Sequence, residues 1–261
     1  MMEILLYRQE IKEMIYFLSN SPADSSCMAE LLYFQKGDNE MEFQYILFDL
    51  DGTITESGPG IINSVYYAAT KMGYKVEDRS MLRRFIGPPL SESFQKFFGM
   101  TEAQASEGIR CYREYYTEKG IFENTVYEGL EESVNTLKQH GKKLAIATSK
   151  PEKFAKQIAE HFGFDKYFDV ICGASMDESL VAKADIMANA LRELGVSEEE
   201  KSKVLMIGDR EHDIFGAKKN QVASMGVLYG YGDRMELEVA GADYIVDTAA
   251  DIAKEILSLD K

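Results

Sequence analysis

Proline is scarce in this chain, five residues in 261, and glycine stops at 20, so composition excludes collagen-like, low-complexity and disordered classes. Cysteine is rarer still. Cys27, Cys111 and Cys172 form no Cys-x-x-Cys pair and cannot all pair with one another, which argues against a disulfide framework and fits free thiols in a reducing compartment. Long apolar runs are missing too: stretches such as Met14 to Leu18 are far too short to cross a bilayer, and Glu3, Arg8, Glu10, Lys12 and Glu13 stand where a signal peptide needs an uncharged segment. A soluble, cytoplasmic protein with no membrane partner is therefore expected. Basic residues are outnumbered, 29 Lys and Arg against 44 Asp and Glu, and the resulting charge of -15 repels a long polyanion, so nucleic acid is not an expected partner. No repeat with a period of about 20–50 residues is present, which removes solenoids.

What remains is a chain with 45% hydrophobic residues, long enough to bury roughly three quarters of its unfolded surface. Short apolar runs at Tyr45 to Leu50, Lys143 to Thr148, Phe168 to Cys172, Val204 to Gly208, Ala223 to Leu228 and Tyr244 to Val246 read as buried strands. Helical patterns lie between them: Leu130, Val134 and Leu137 closed by Gly141; Phe154, Ile158 and Phe162 closed by Gly163; Ile186 to Leu194 closed by Gly195. Alternation of this kind predicts an α/β fold, a doubly wound parallel sheet.

Two stretches depart from the alternation. Residues 1–42 carry Ile4, Ile11, Met14, Ile15 and Leu18 on one helical face and read as an N-terminal helical extension. Residues 59–125 show helical patterns without a strand: Ile62, Val65, Tyr66, Ala69 and Met72 follow helical spacing, and Thr101 with Gln104 forms a capping box for a helix ending near Gly120. This second stretch reads as a smaller all-helical cap inserted into an α/β core of residues 43–58 and 126–261. Entering directly after the first strand, it is expected over the carboxyl ends of the sheet, where open α/β sheets place their ligand.

Chemistry-bearing residues collect at those same ends. Asp49 and Asp51 close the first strand and alternate to one side, with Gly52 permitting a sharp exit; such a pair can bind a hard cation or divide the work of nucleophile and acid/base. An acidic Asp-Gly turn is by itself an ordinary surface feature. Three more strand ends carry matching groups, however. Thr148, Ser149 and Lys150 precede Pro151 at a helix start, a set able to hold an anion. Lys183 opens a helix, an odd place for a cation unless it faces an anion elsewhere. Asp209 ends another strand with Asp213 one helical turn on, and Asp49 plus Asp209 suffices for Mg²⁺ without His or Cys ligands. His140, His161 and His212 show no metal spacing, and the tyrosine and phenylalanine pairs Tyr66-Tyr67, Phe97-Phe98 and Tyr115-Tyr116 read as cap packing.

In this order the four loops resemble the haloacid dehalogenase superfamily, with its signature in Phe48-Asp49-Leu50-Asp51-Gly52-Thr53 and its further motifs at Thr148, Lys183 and Asp209 with Asp213. Ser57-Gly58-Pro59-Gly60, Ala147-Thr148-Ser149-Lys150-Pro151 and Val227-Leu228-Tyr229-Gly230-Tyr231-Gly232 look most like its phosphoglycolate phosphatase-like branch, although Glu56, Ser149 and Ala184 stand where Asp, Asn and Pro are frequent. The resemblance implies hydrolysis of small phosphate monoesters through an aspartyl phosphate. Asp49 would be the nucleophile, Asp51 the acid/base, and Thr148 and Lys183 stabilisers of the phosphoryl charge. Mg²⁺ would sit on Asp49, Asp209 and the backbone carbonyl of Asp51, with Asp213 in support.

Substrate contacts are expected from Thr53, Ser149, Lys150 and, through the turn Arg83-Arg84-Phe85-Ile86-Gly87-Pro88-Pro89, from Arg84. The implied partner is a small phosphorylated metabolite, and a monomer or weak homodimer is expected. A phosphomutase of the β-phosphoglucomutase type is the alternative, weakened because that subgroup tends to carry an aliphatic residue at position 53. A catalytically silent binding protein on the same fold is the other, opposed by the intact Asp49, Asp51, Lys183 and Asp209.

Overall fold

The computed structural model describes residues 42–177 and 179–260, all within one compact unit, Met41–Lys261. The N-terminal extension read over residues 1–42, with Cys27, lies outside the described residues apart from Glu42. Six parallel strands form the central sheet: β1 (Tyr45–Phe48), β4 (Lys143–Pro151), β5 (Val170–Ala174), β6 (Val204–Gly208), β7 (Ala223–Val227) and β8 (Tyr244–Val246). Their order across the sheet is β5-β4-β1-β6-β7-β8, with β1 between β4 and β6.

Strand alternation divides the sheet's side chains between two helical layers. Ile46, Phe48, Leu144, Ile146, Leu205 and Ile207 pack with α4 (Leu130–Gln139), α5 (Glu152–Phe162) and α9 (Ala249–Leu259). Tyr45, Leu47, Ala145, Ala147 and Met206 pack with α6 (Lys183–Leu194) and with Ala217 of α7 (Glu211–Asn220). A short helix α8 (Arg234–Ala240) covers Ile214 through Leu237. The α/β class and the doubly wound parallel topology are those read from the sequence.

Register sets the level of the site. Phe48 lies opposite both Ile146 and Ile207, and the Asp49 amide donates to the Ile207 carbonyl at 2.9 Å. Asp49, Thr148 and Asp209 consequently emerge at one edge, each the first polar residues after a buried run.

The helical insert comprises α1 (Gly58–Lys71), a 3-10 turn (Arg79–Phe85), α2 (Leu90–Phe98) and α3 (Glu102–Glu118). Thr101 caps α3 as expected: its hydroxyl accepts from the Gln104 amide at 3.3 Å and its own amide donates to Gln104 Oε1 at 2.9 Å. Where chain leaves and re-enters the core, β2 (Thr55–Glu56) and β3 (Thr125–Val126) pair antiparallel. This hinge ribbon was not expected, because two-residue strands give no readable alternation. Cys111 and Cys172 are buried free thiols. Among the described residues no helix is long and apolar enough to cross a membrane.

Candidate active site

The turn after β1 is wound tightly enough to bring both aspartates to one cavity. The Leu50 carbonyl accepts from the amides of Thr53, Ile54 and Thr55. Gly52 sits at φ +86°, and a Cβ there would run into the Asp209 carboxylate; a glycine is required on both counts. Gly208 meets the same demand from Asp213, whose carboxylate occupies the space a Cβ would take.

Lys183 explains its odd position at a helix N-terminus by reaching back under the sheet edge. Its Nζ lies 2.7 Å from Asp49 Oδ1 and 2.8 Å from Asp213 Oδ1 and donates to the Ala147 carbonyl at 3.0 Å. Burial alone would lower the ammonium's pKa, but the Asp213 and Asp49 charges outweigh it and hold the pKa above the ordinary lysine range. Asp213 also accepts from the Arg210 amide at 3.1 Å, which fixes the carboxylate that orients Lys183.

Asp51 pairs elsewhere: its Oδ2 lies 2.8 Å from Lys150 Nζ, while its Oδ1 is buried without a hydrogen-bond partner among the described residues. Thr148 lies on the cavity wall, and its hydroxyl accepts from the Lys150 amide at 3.2 Å. Ser149 lines the same cavity.

Among the described residues no lysine pairs with Asp209. Fully buried, it accepts from Thr53 Oγ1 at 3.3 Å and from the Tyr231 amide at 2.8 Å. Burial pushes its carboxyl well above the usual range, and the Asp213 and Asp49 charges push it further. Carboxylate oxygens of Asp49, Asp209 and Asp213 lie within 4.8 Å of one another. Four acids, Asp49, Asp51, Asp209 and Asp213, thus outnumber the two lysines, Lys150 and Lys183, that pair with three of them, an excess of negative charge among largely buried groups. An all-oxygen donor set of this charge fits a hard divalent cation of the Mg²⁺ type.

An open cavity of about 120 Å³ lies over Asp49, Asp51, Lys150, Lys183 and Asp213. The insert supplies its far wall through Phe85, Pro88, Pro89, Leu90, Tyr112 and Tyr116, and Arg113, Arg210 and His212 add polar edges. Two expected substrate contacts fall elsewhere. Arg84 is exposed and stands 5.8 Å over the Phe97 ring, away from the cavity lining, because the 3-10 turn directs Phe85 inward and its arginine neighbours out. Thr53 is buried against Asp209 and positions that carboxylate instead.

Other contributors carried little sequence signal. Tyr231 donates through its hydroxyl to Glu56 Oε1 at 3.1 Å and accepts from the Gly58 amide at 2.8 Å, bracing the hinge. Tyr229 donates to the Thr53 carbonyl at 2.7 Å. Both fall in the Val227–Gly232 stretch, which carried the family resemblance but no role. Tyr112 and Tyr116 have helical spacing, which reads as core.

A model of the haloacid dehalogenase-like hydrolases matches residues 46–227. The chain is 41% identical over 214 residues to a 5′-nucleotidase of Pseudomonas aeruginosa, a match covering 82% of this chain and 96% of that protein. It is 28% identical over 226 residues to a phosphoglycolate phosphatase of Vibrio parahaemolyticus, covering 83% and 97%. The solved structure of a predicted phosphatase from Clostridium acetobutylicum superposes with a TM-score of 0.79 at 46% identity, over 83% of this chain and 99% of that one. The chain belongs to the haloacid dehalogenase-like hydrolases.

Proposed function

We propose that this protein is a Mg²⁺-dependent, cytoplasmic phosphatase of small phosphorylated metabolites, of the phosphoglycolate phosphatase-like kind, acting through an aspartyl phosphate. The observation that carries the reading is the division of partners between the two aspartates of one turn: Asp49 is paired with Lys183 and faces Asp209, while Asp51 is paired with Lys150 and keeps one buried oxygen unpaired. Environments that differ at adjacent carboxylates suit different roles.

A carboxylate oxygen of Asp49 attacks phosphorus as the ester P–O bond breaks, and Asp51 gives its proton to the departing oxygen. Water then attacks phosphorus, yielding its proton to Asp51. The bond from phosphorus to Asp49 breaks, and alcohol and inorganic phosphate are the products. Lys183 and Thr148 offset charge on the phosphoryl oxygens. A Mg²⁺ ion would be held by Asp49, Asp209 and the Asp51 carbonyl, and when bound it would neutralise phosphoryl charge and align the group for in-line attack. The cavity of about 120 Å³ favours a compact leaving group.

This reading needs neither nucleic acid nor a membrane, and a monomer or weak homodimer satisfies it, since every group invoked comes from one chain. Release of phosphate from a panel of glycolate, sugar and nucleotide monophosphates, with Mg²⁺ and with excess chelator, tests it. Metal-dependent turnover of small esters is expected. A folded protein inert towards the whole panel with Mg²⁺ present would contradict it.

A further inference from the structure

Several hydrogen bonds join the helical insert to loops at the sheet edge, and they differ in what they reach. Arg113 Nη2 of α3 donates to the Met176 carbonyl at 2.8 Å, and Arg210 Nη1 to the Ile86 carbonyl at 3.4 Å. Both end on backbone. The bond at Tyr116 enters the charged machinery instead, because Lys150 Nζ donates to the Tyr116 hydroxyl at 2.8 Å while lying 2.8 Å from Asp51 Oδ2.

The tyrosine is aimed by packing. Its ring stacks on Tyr112 at 5.2 Å and meets Phe154 edge-on at 5.3 Å, and only 2% of the residue is exposed. Burial, reinforced by the Asp51 charge, raises the phenol well above its ordinary pKa, so the oxygen stays a neutral hydroxyl that accepts from the ammonium. With two of its three hydrogens directed at Tyr116 and Asp51 Oδ2, the ammonium cannot swing freely. Asp51 Oδ1 is then the oxygen left without a partner.

We propose that Tyr116 is a positioning residue: carried by the insert, it clamps Lys150 against Asp51 Oδ2 and so fixes the orientation of the Asp51 carboxyl while the insert covers the site. The proposal rests on the reading of Asp51 as proton carrier. It assigns Lys150, expected from sequence to touch substrate, to the orientation of Asp51.

The test is kcat/KM, which reports the step that expels the leaving group, for a series of aryl phosphates from p-nitrophenyl to phenyl to p-methoxyphenyl. Loss of an oriented proton donor grows as the leaving oxygen becomes more basic. Tyr116→Phe is expected to lose about 10-fold on phenyl phosphate but less than about threefold on p-nitrophenyl phosphate, with KM within about twofold. Lys150→Met is expected to steepen the same dependence, and the double variant to be no worse than Lys150→Met alone. Tyr67→Phe, whose hydroxyl meets Glu114 away from the cavity, serves as the unchanged control. Equal losses across the series, additive losses in the double variant, or full activity of Tyr116→Phe would overturn the proposal. A wild type inert on the whole series, with Mg²⁺, would overturn the reading of Asp51 beneath it.

Discussion

The two walls of the cavity solve different physical problems. The sheet wall gathers Asp49, Asp51, Asp209 and Asp213 with Lys150 and Lys183, and ions buried this deeply are tolerated only inside a network that meets their oxygens and hydrogens. The insert wall is mostly aromatic and apolar, with Arg113 at its edge, and it touches the network through the Tyr116 hydroxyl. One wall is held by the register of parallel strands; the other is held by helices hinged on a two-residue ribbon. In the proposed function, chemistry belongs to the first wall and admission to the second.

Substitutions sharpen that contrast in descending size. Asp49→Asn should be the most severe, with turnover down about 10⁴-fold or more in steady-state assays, because it removes the carboxylate proposed to take the phosphoryl unit. Lys183→Met should cost about 10²-fold or more in kcat, the scale of a preorganised electrostatic donor. It should also destabilise the fold by about 3 kcal/mol, since Asp49 and Asp213 would face each other uncompensated; denaturant melts provide the check. A near-normal rate would remove Lys183 from the machinery.

Metal addition probes the same wall through stability. Mg²⁺ at a hundred times its Kd should stabilise by about 2.7 kcal/mol, roughly 5–10 °C in Tm for a chain this size. Asp209→Asn should abolish that rise while leaving the metal-free protein as stable or more so, because it removes one of three crowded carboxylates. A Tm that responds equally to Mg²⁺ in both proteins would place the ion elsewhere.

On the insert wall, Tyr116 apart, effects should be smaller and fall on KM. Tyr112→Leu is expected to raise KM several-fold with kcat changed less, as the stacked partner of Tyr116 is lost from the cavity lining. Arg84→Ala should alter neither constant by more than about twofold, its side chain being exposed above Phe97. A large KM effect there would mean that the arginine swings inward on substrate.

The same contrast governs what could be read before folding. Buried parallel strands write themselves as apolar runs that stop at a polar residue, so Asp49, Thr148 and Asp209 could be placed at one edge from spacing alone. Lys183 could be flagged because a cation at a helix start needs an anion, although its partners Asp49 and Asp213 are set by tertiary approach. Arg84 could not be judged, since a 3-10 turn decides which of Arg84 and Phe85 points inward. Tyr116 reads as packing and is packed; its one polar atom matters because Lys150, 34 residues on, happens to end beneath it. The ribbon of Thr55–Glu56 with Thr125–Val126 is too short for a period to exist.

The account turns on a covalent bond between Asp49 and phosphorus. Acid quenching during turnover, borohydride reduction of any acyl phosphate and mass spectrometry of the peptide spanning residue 49 test this directly. The account predicts that Asp49, and no other acid, is converted to homoserine, and that Asp49→Asn protein gives no such product. Active enzyme with every aspartate unmodified, or with the modification on Asp51 or Asp209, would contradict it.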